Sequence, residues 1–167
     1  MELLLNIAAR RHDAHLIERQ NISNGKLTWR PVKTERSTAK LLTIKILPEL
    51  QAALDAVPET TRASGVLAFL VNEYGKPFAT PEVLGKSFAR WCREAGLEPV
   101  VGSDGLVRNY RAHGLRKAAL RHLAHRGATA SEMQAVSGHS SLAQLQEYLQ
   151  EVEQERLAEA ALARLEG

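Results

Sequence analysis

The sequence predicts a mainly helical α+β domain with one small antiparallel sheet, and three observations carry that prediction. Apolar residues recur at helical spacing in the second half of the chain, at Phe88, Trp91, Cys92 and Ala95 and again at Leu142, Leu145, Leu149 and Val152. Two short stretches, around Leu27 to Arg30 and Leu41 to Ile46, have β-branched or alternating apolar character instead. Two capping-box patterns, Thr129-x-x-Glu132 and Ser141-x-x-Gln144, mark helix starts near the C-terminus. A chain of 167 residues is sized for one domain, enough to bury about two-thirds of its unfolded surface.

Each element follows from local signals. The first stretch, to about Gln20, reads as helix, and Asn21 to Gly25 as a turn into the sheet. Pro48 to Leu54 is a short helix with proline in its first turn. Glu59 to Gly65 is loop-like, Val66 to Leu70 is a candidate strand, and Asn72 to Pro77 is rich in turn formers. Pro81 to Ala95 is a helix ended by Gly96, and Gly102 to Gly105 is a loop ahead of a basic helix. Short helices then begin after Thr129 and Ser141, with Gly138 and His139 in the turn between them.

Composition narrows the function classes. Hydrophobic residues make up 44% and aromatics only 5%, so the core is built from aliphatic side chains. The single cysteine, Cys92, excludes an internal disulfide and a cysteine zinc site and reads as a core thiol. The opening MELLLNIAAR has no basic segment before its apolar run and no cleavage site, and no run approaches membrane-spanning length. A soluble, cytoplasmic protein without membrane contact is expected. Net charge is +3, but residues 150 to 167 carry five glutamates against two arginines, leaving +6 on the remainder. From Arg108 to Arg126 there are six basic residues, three histidines and no acid, the footprint of a phosphate-backbone surface or, read blandly, a solvated basic helix face.

Within that stretch His113 and Arg116 stand three apart. Gly138 and His139 follow some twenty residues later, and Tyr148 lies nine positions beyond His139. Arginine offers forked donors to phosphate oxygens, histidine moves or shares a proton near neutral pH, and a tyrosine hydroxyl can attack covalently. On a helical wheel Arg116 and His113 fall along the apolar side, while Arg121 and His125 point away. A guanidinium held there needs an anionic partner. Taken singly, each residue has a plainer reading: Arg116 a structural ion pair, Tyr148 the margin of an apolar stripe, Lys33 a solvated turn. The pairs His12/His15 and His122/His125 lack a carboxylate or cysteine to complete a ligand set, so no metal site is expected.

Residues 112 to 150, AHGLRKAALRHLAHRGATASEMQAVSGHSSLAQLQEYLQ, resemble the C-terminal catalytic domain of the tyrosine recombinases, the phage integrase family. The H-x-x-R box, the G-H box and the tyrosine occur in the family's order and spacing. Upstream, Arg10 followed by Asp13 resembles the family's first arginine, and Lys33-Thr34 its β-turn lysine, so the resemblance covers nearly the whole chain. It implies the DNA breaking-rejoining fold and a catalytic set of Tyr148, Arg10, Lys33, His113, Arg116 and His139. Arg108, Arg111, Lys117 and Arg121 are the expected DNA contacts. The partner implied is double-stranded DNA, with strands cleaved and rejoined through a 3′-phosphotyrosine link. No cofactor or metal is implied.

The chain departs from the family pattern in places. Ala8 stands where a glycine is usual, Arg11 competes with Arg10 for the first-arginine role, and Ser137 replaces a common leucine before the G-H box. Only nine residues precede Arg10, so residues 1–167 are expected to be a catalytic domain without the core-binding domain and the first catalytic-domain helix. The alternatives are a DNA-binding remnant without turnover and a protein-interaction module acting through the C-terminal helix. That helix, with Val152, Leu157, Ala161 and Leu165 on one stripe, is expected to dock in trans during self-association on DNA or to fold back on its own domain.

Overall fold

The structure is a computed structural model, and it describes residues 1–32, 41–57 and 65–165. Helices α1 (Glu2–Ile7) and α2 (Arg11–Ala14) open the chain. A 3-10 turn (Arg19–Asn21), strands β1 (Ile22–Ser23), β2 (Lys26–Trp29) and β3 (Leu42–Lys45), and α3 (Pro48–Asp55) follow. Next come α4 (Pro81–Glu94), β4 (Val100–Val101), β5 (Val107–Arg108), α5 (Ala112–His125), α6 (Ala130–Ser137) and α7 (Ala143–Ala163). The domain is therefore mainly helical with small antiparallel sheets, as the periodicities indicate.

Strands β1, β2 and β3 form an antiparallel meander in which Leu27 faces Ile44 and Trp29 faces Leu42. Asn24 and Gly25, at φ 50 and 69, make the two-residue turn whose twist matches the flanking strands. Leu27, Trp29 and Leu42 are buried, while the hydroxyls of Thr28 and Thr43 meet at 3.0 Å on the other face. One apolar cluster joins this face to α1, α3, α4 and the start of α5; a second joins the rest of α5 to α6 and α7. Helix α5 spans both, with Ala112 and Leu115 in or against the first and Ala119, Leu120 and Ala124 in the second. Arg116 lies at their junction.

Several elements differ from the local reading. The first stretch is not one helix: Ala8 takes the left-handed conformation (φ 47, ψ 27) and separates α1 from α2. Alanine favours helix, so the break comes from tertiary contacts made by the Ala8 carbonyl. Val66 to Leu70 is not a strand; Ala68 makes an isolated bridge with Glu18, because its backbone neighbour is the segment after α2 rather than a ladder. The Gly102 to Gly105 loop is the turn of a hairpin, with Gly105 at φ 73. The Thr129 capping box forms as read, but the Ser141 one does not. Leu142 is already helical in backbone, so the Ser141 hydroxyl accepts from Ala143 N–H at 3.2 Å, and α7 runs 21 residues rather than a short helix.

Candidate active site

Four segments converge on Arg116: the α1–α2 break, α5, the α6–α7 turn and α7. The Arg116 side chain is only 2% exposed. Its Nη1 donates to the Ala8 carbonyl and, at 3.0 Å, to the Ser137 carbonyl. Its Nη2 lies 3.0 Å from His139 Nδ1 and 3.1 Å from Nε2. The wheel's anionic partner is thus replaced by two carbonyls and an imidazole, with Asp13 acting only as a more distant negative charge. The left-handed kink at Ala8 now has a cause, since it turns that carbonyl towards the guanidinium. Burial first, then the nearby Arg10, lower the Arg116 pKa to about 10, which keeps it charged at neutral pH.

His139 is placed by the end of α6. Gly138 caps that helix at φ 64, and a Cβ there would stand 2.7 Å from Leu42 Cδ1, so a left-handed glycine against β3 fits where a side chain would not. The buried Ser137 hydroxyl contacts His139 Nδ1 at 2.6 Å and the Met133 carbonyl at 2.7 Å. Gln134 Nε2 holds the His139 carbonyl at 2.9 Å. Burial, followed by Arg116, Arg10 and His113, pulls the His139 pKa down to about 4. His139 is therefore neutral at physiological pH.

Arg10 precedes α2 and is half-buried, and its Nη1 is fully enclosed with no hydrogen-bond partner among the described residues. Arg11 points elsewhere: its Nη2 meets Glu82 at 3.2 Å, and its side chain packs against Gly85 of α4. The structure therefore brings Arg10, and not Arg11, to the cluster. Asp13, buried, accepts from Val32 N–H at 2.9 Å and ties α2 to the chain leaving β2. Lys33 lies outside the described residues.

His113, in the first turn of α5, is exposed rather than turned into the apolar side, and burial, Lys117, Arg116 and Arg10 lower its pKa. Tyr148 is half-buried against the second apolar cluster. Its pKa is raised, chiefly by burial and also by Glu151 and Glu147, with Arg116 opposing, so the phenol keeps its proton until a base removes it. Arginine, two histidines and the phenol thus share one electrostatic neighbourhood, and the cations outnumber nearby carboxylates.

The expected DNA contacts fall into two groups. Arg111 and Lys117 are exposed beside the site, whereas Arg108 pairs with Asp104 (Nη1 to Oδ1, 2.7 Å). Arg121 reaches Glu151 and Glu155 of α7, each at 2.8 Å, so a phosphate approaching it meets a guanidinium already engaged. Sequence reasoning assigned no role to Ser137; its only signal was a serine where leucine is common. Among the described residues no cluster of His, Cys, Asp or Glu is arranged to hold a metal ion, and no helix is long and apolar enough to cross a membrane.

A family model described as the phage integrase family matches residues 1–155. No curated protein matches the chain in sequence. Among solved structures, the chain is similar to XerA recombinase (TM-score 0.72, 15% identity), covering 95% of this chain and 54% of that one. It is similar to a lambda integrase dimer bound to a COC′ core site (TM-score 0.62, 17% identity, 84% and 49% covered). A third is the XerH site-specific recombinase bound to palindromic difH substrate in a post-cleavage complex (TM-score 0.65, 21% identity, 96% and 43% covered). At these identities the likeness is one of fold, and the chain spans about half the length of the structures it matches.

Proposed function

The chain belongs to the phage integrase family, and from that premise we propose that it cleaves and rejoins DNA strands, with Tyr148 as the nucleophile. The Tyr148 hydroxyl attacks the scissile phosphorus, forming a 3′-phosphotyrosine bond as the bond to the 5′-oxygen breaks and that oxygen leaves as a hydroxyl. Arg116 and Arg10 neutralise charge on the nonbridging oxygens, the main electrostatic task of phosphoryl transfer. His113, exposed and with a lowered pKa, takes the phenol proton; His139 hydrogen-bonds the phosphate; Lys33 supplies a proton to the leaving oxygen. The phosphotyrosine bond conserves the energy for rejoining, so the reaction needs no nucleotide.

One observation carries this reading. Among the described residues, no carboxylate is hydrogen-bonded to the buried guanidinium of Arg116, and Arg10 presents an enclosed donor without a partner in the same neighbourhood. Such a cluster is stabilised by an incoming anion. Arg111 and Lys117 extend the positive surface towards a phosphate backbone, which makes binding salt-dependent. Beyond Glu155, Leu157 and Leu162 on α7 and Leu165 just after it remain exposed and offer the surface for self-association on DNA.

The test is covalent trapping on a nicked suicide DNA substrate. Tyr148→Phe should abolish the DNA-linked species while keeping salt-sensitive binding. Peptide mapping that placed the linked residue at Tyr74 or Tyr110 would overturn the assignment. Wild-type chain that binds DNA without forming any adduct would favour the remnant reading.

A further inference from the structure

The hydroxyl of Ser137 has a single proton and two close neighbours, the Met133 carbonyl at 2.7 Å and His139 Nδ1 at 2.6 Å. A carbonyl oxygen can only accept, so the first contact uses the Ser137 proton, in the backward i−4 bond that helical serines make. The second contact then needs a proton from the other side, from Nδ1–H of His139. Arg116 Nη2 stands 3.0 Å from Nδ1 and 3.1 Å from Nε2, well off the in-plane lone pair of either, so it rests against the ring and leaves the choice of tautomer to Ser137. Both contacts of the hydroxyl are then satisfied in one direction, from His139 to Ser137 to Met133.

The opposite tautomer fails the same count. The Ser137 proton would have to turn to Nδ1, leaving the Met133 carbonyl 2.7 Å from a hydroxyl oxygen with no proton between them. We infer that Ser137 is a positioning residue that holds His139 in the tautomer protonated on Nδ1, leaving the lone pair on Nε2. Ser137 is 2% exposed, so water does not compete for its hydroxyl. The groups facing the ring, Arg116 and His113 from α5 and Arg10 from the α1–α2 junction, all disfavour a second proton on it.

The consequence for strand cleavage rests on the proposed function. With the lone pair on Nε2, the ring donates from that nitrogen to a phosphate only after gaining a proton there. Ser137 thereby makes phosphate contact by His139 conditional on protonation, a restraint that a leucine at this position does not impose.

The tautomer can be read without DNA. In the 15N-labelled chain, two-bond nitrogen–proton correlation spectra, with His139 assigned by its loss in His139→Asn, should show Nδ1 as pyrrole-type and Nε2 as pyridine-type. Ser137→Thr, which keeps the hydroxyl, should preserve that pattern; Ser137→Ala should lose it in favour of Nε2–H or an averaged ring. A wild-type ring protonated on Nε2, or a Ser137→Ala ring unchanged from wild type, would overturn the inference. Should Ser137→Ala fail to fold, the wild-type and threonine spectra still decide. Because no DNA is present, this outcome is independent of whether the chain cleaves strands.

Discussion

Acidification separates His139 from an ordinary surface histidine. Burial, followed by Arg116, Arg10 and His113, holds its pKa at about 4, against an ordinary 6.5. Because the folded value is the lower one, the unfolded chain binds the extra proton between the two. Stability is therefore fully present above 6.5, falls as the pH drops below it, and stops falling near 4. The gap corresponds to at most about 3.4 kcal/mol, at about 1.36 kcal/mol per pH unit. The ring is partly open to solvent, and screening reduces this to about 1–2 kcal/mol. Urea denaturation at about pH 7 and about pH 4.5, for wild type and His139→Asn, isolates the effect, since the other titrating groups are common to both proteins. Wild type should lose about 1–2 kcal/mol more than the variant on acidification. A midpoint for His139 near 6.5 by NMR, or parallel losses in the two proteins, would refute the reasoning.

Three further outcomes are expected. Arg10→Ala should lower covalent DNA attachment by about 100-fold or more, whereas Arg11→Ala removes an exposed ion pair with Glu82 worth under about 1 kcal/mol and should leave attachment near wild type; the reverse result moves the first arginine by one residue. Gly138→Ala combines a left-handed backbone (φ 64) with a clash against Leu42, so thermal denaturation should show a loss of at least about 1–2 kcal/mol, and an unchanged melting temperature would contradict the packing described. Truncation after Arg156 keeps Glu151 and Glu155 for Arg121 but removes Leu157, Leu162 and Leu165, so sedimentation should show less self-association on DNA with melting unchanged; unaltered assembly would remove the helix end from that role.

What could be read from the chain alone was set by atoms close in sequence. The Thr129 box formed as expected because donor and acceptor lie within one helical turn, and Pro81 and Gly96 bound α4 through their own backbone preferences. The order and spacing of His113, Arg116, His139 and Tyr148 likewise singled out candidate site residues without any coordinates. The helical break at Ala8 was hidden, because alanine propensity argues for continuing the helix. That break is imposed by a guanidinium 108 residues away. The same distance in sequence concealed the partners of Arg116: a wheel shows that it faces the core but not which groups wait there. Arg121 looked free for phosphate on the wheel, yet packing of α5 on α7 places Glu151 and Glu155 against it. Spacing along a chain put Arg116 on the buried face but misplaced the exposed His113, and long-range hydrogen bonds and ion pairs depend on how separate helices meet.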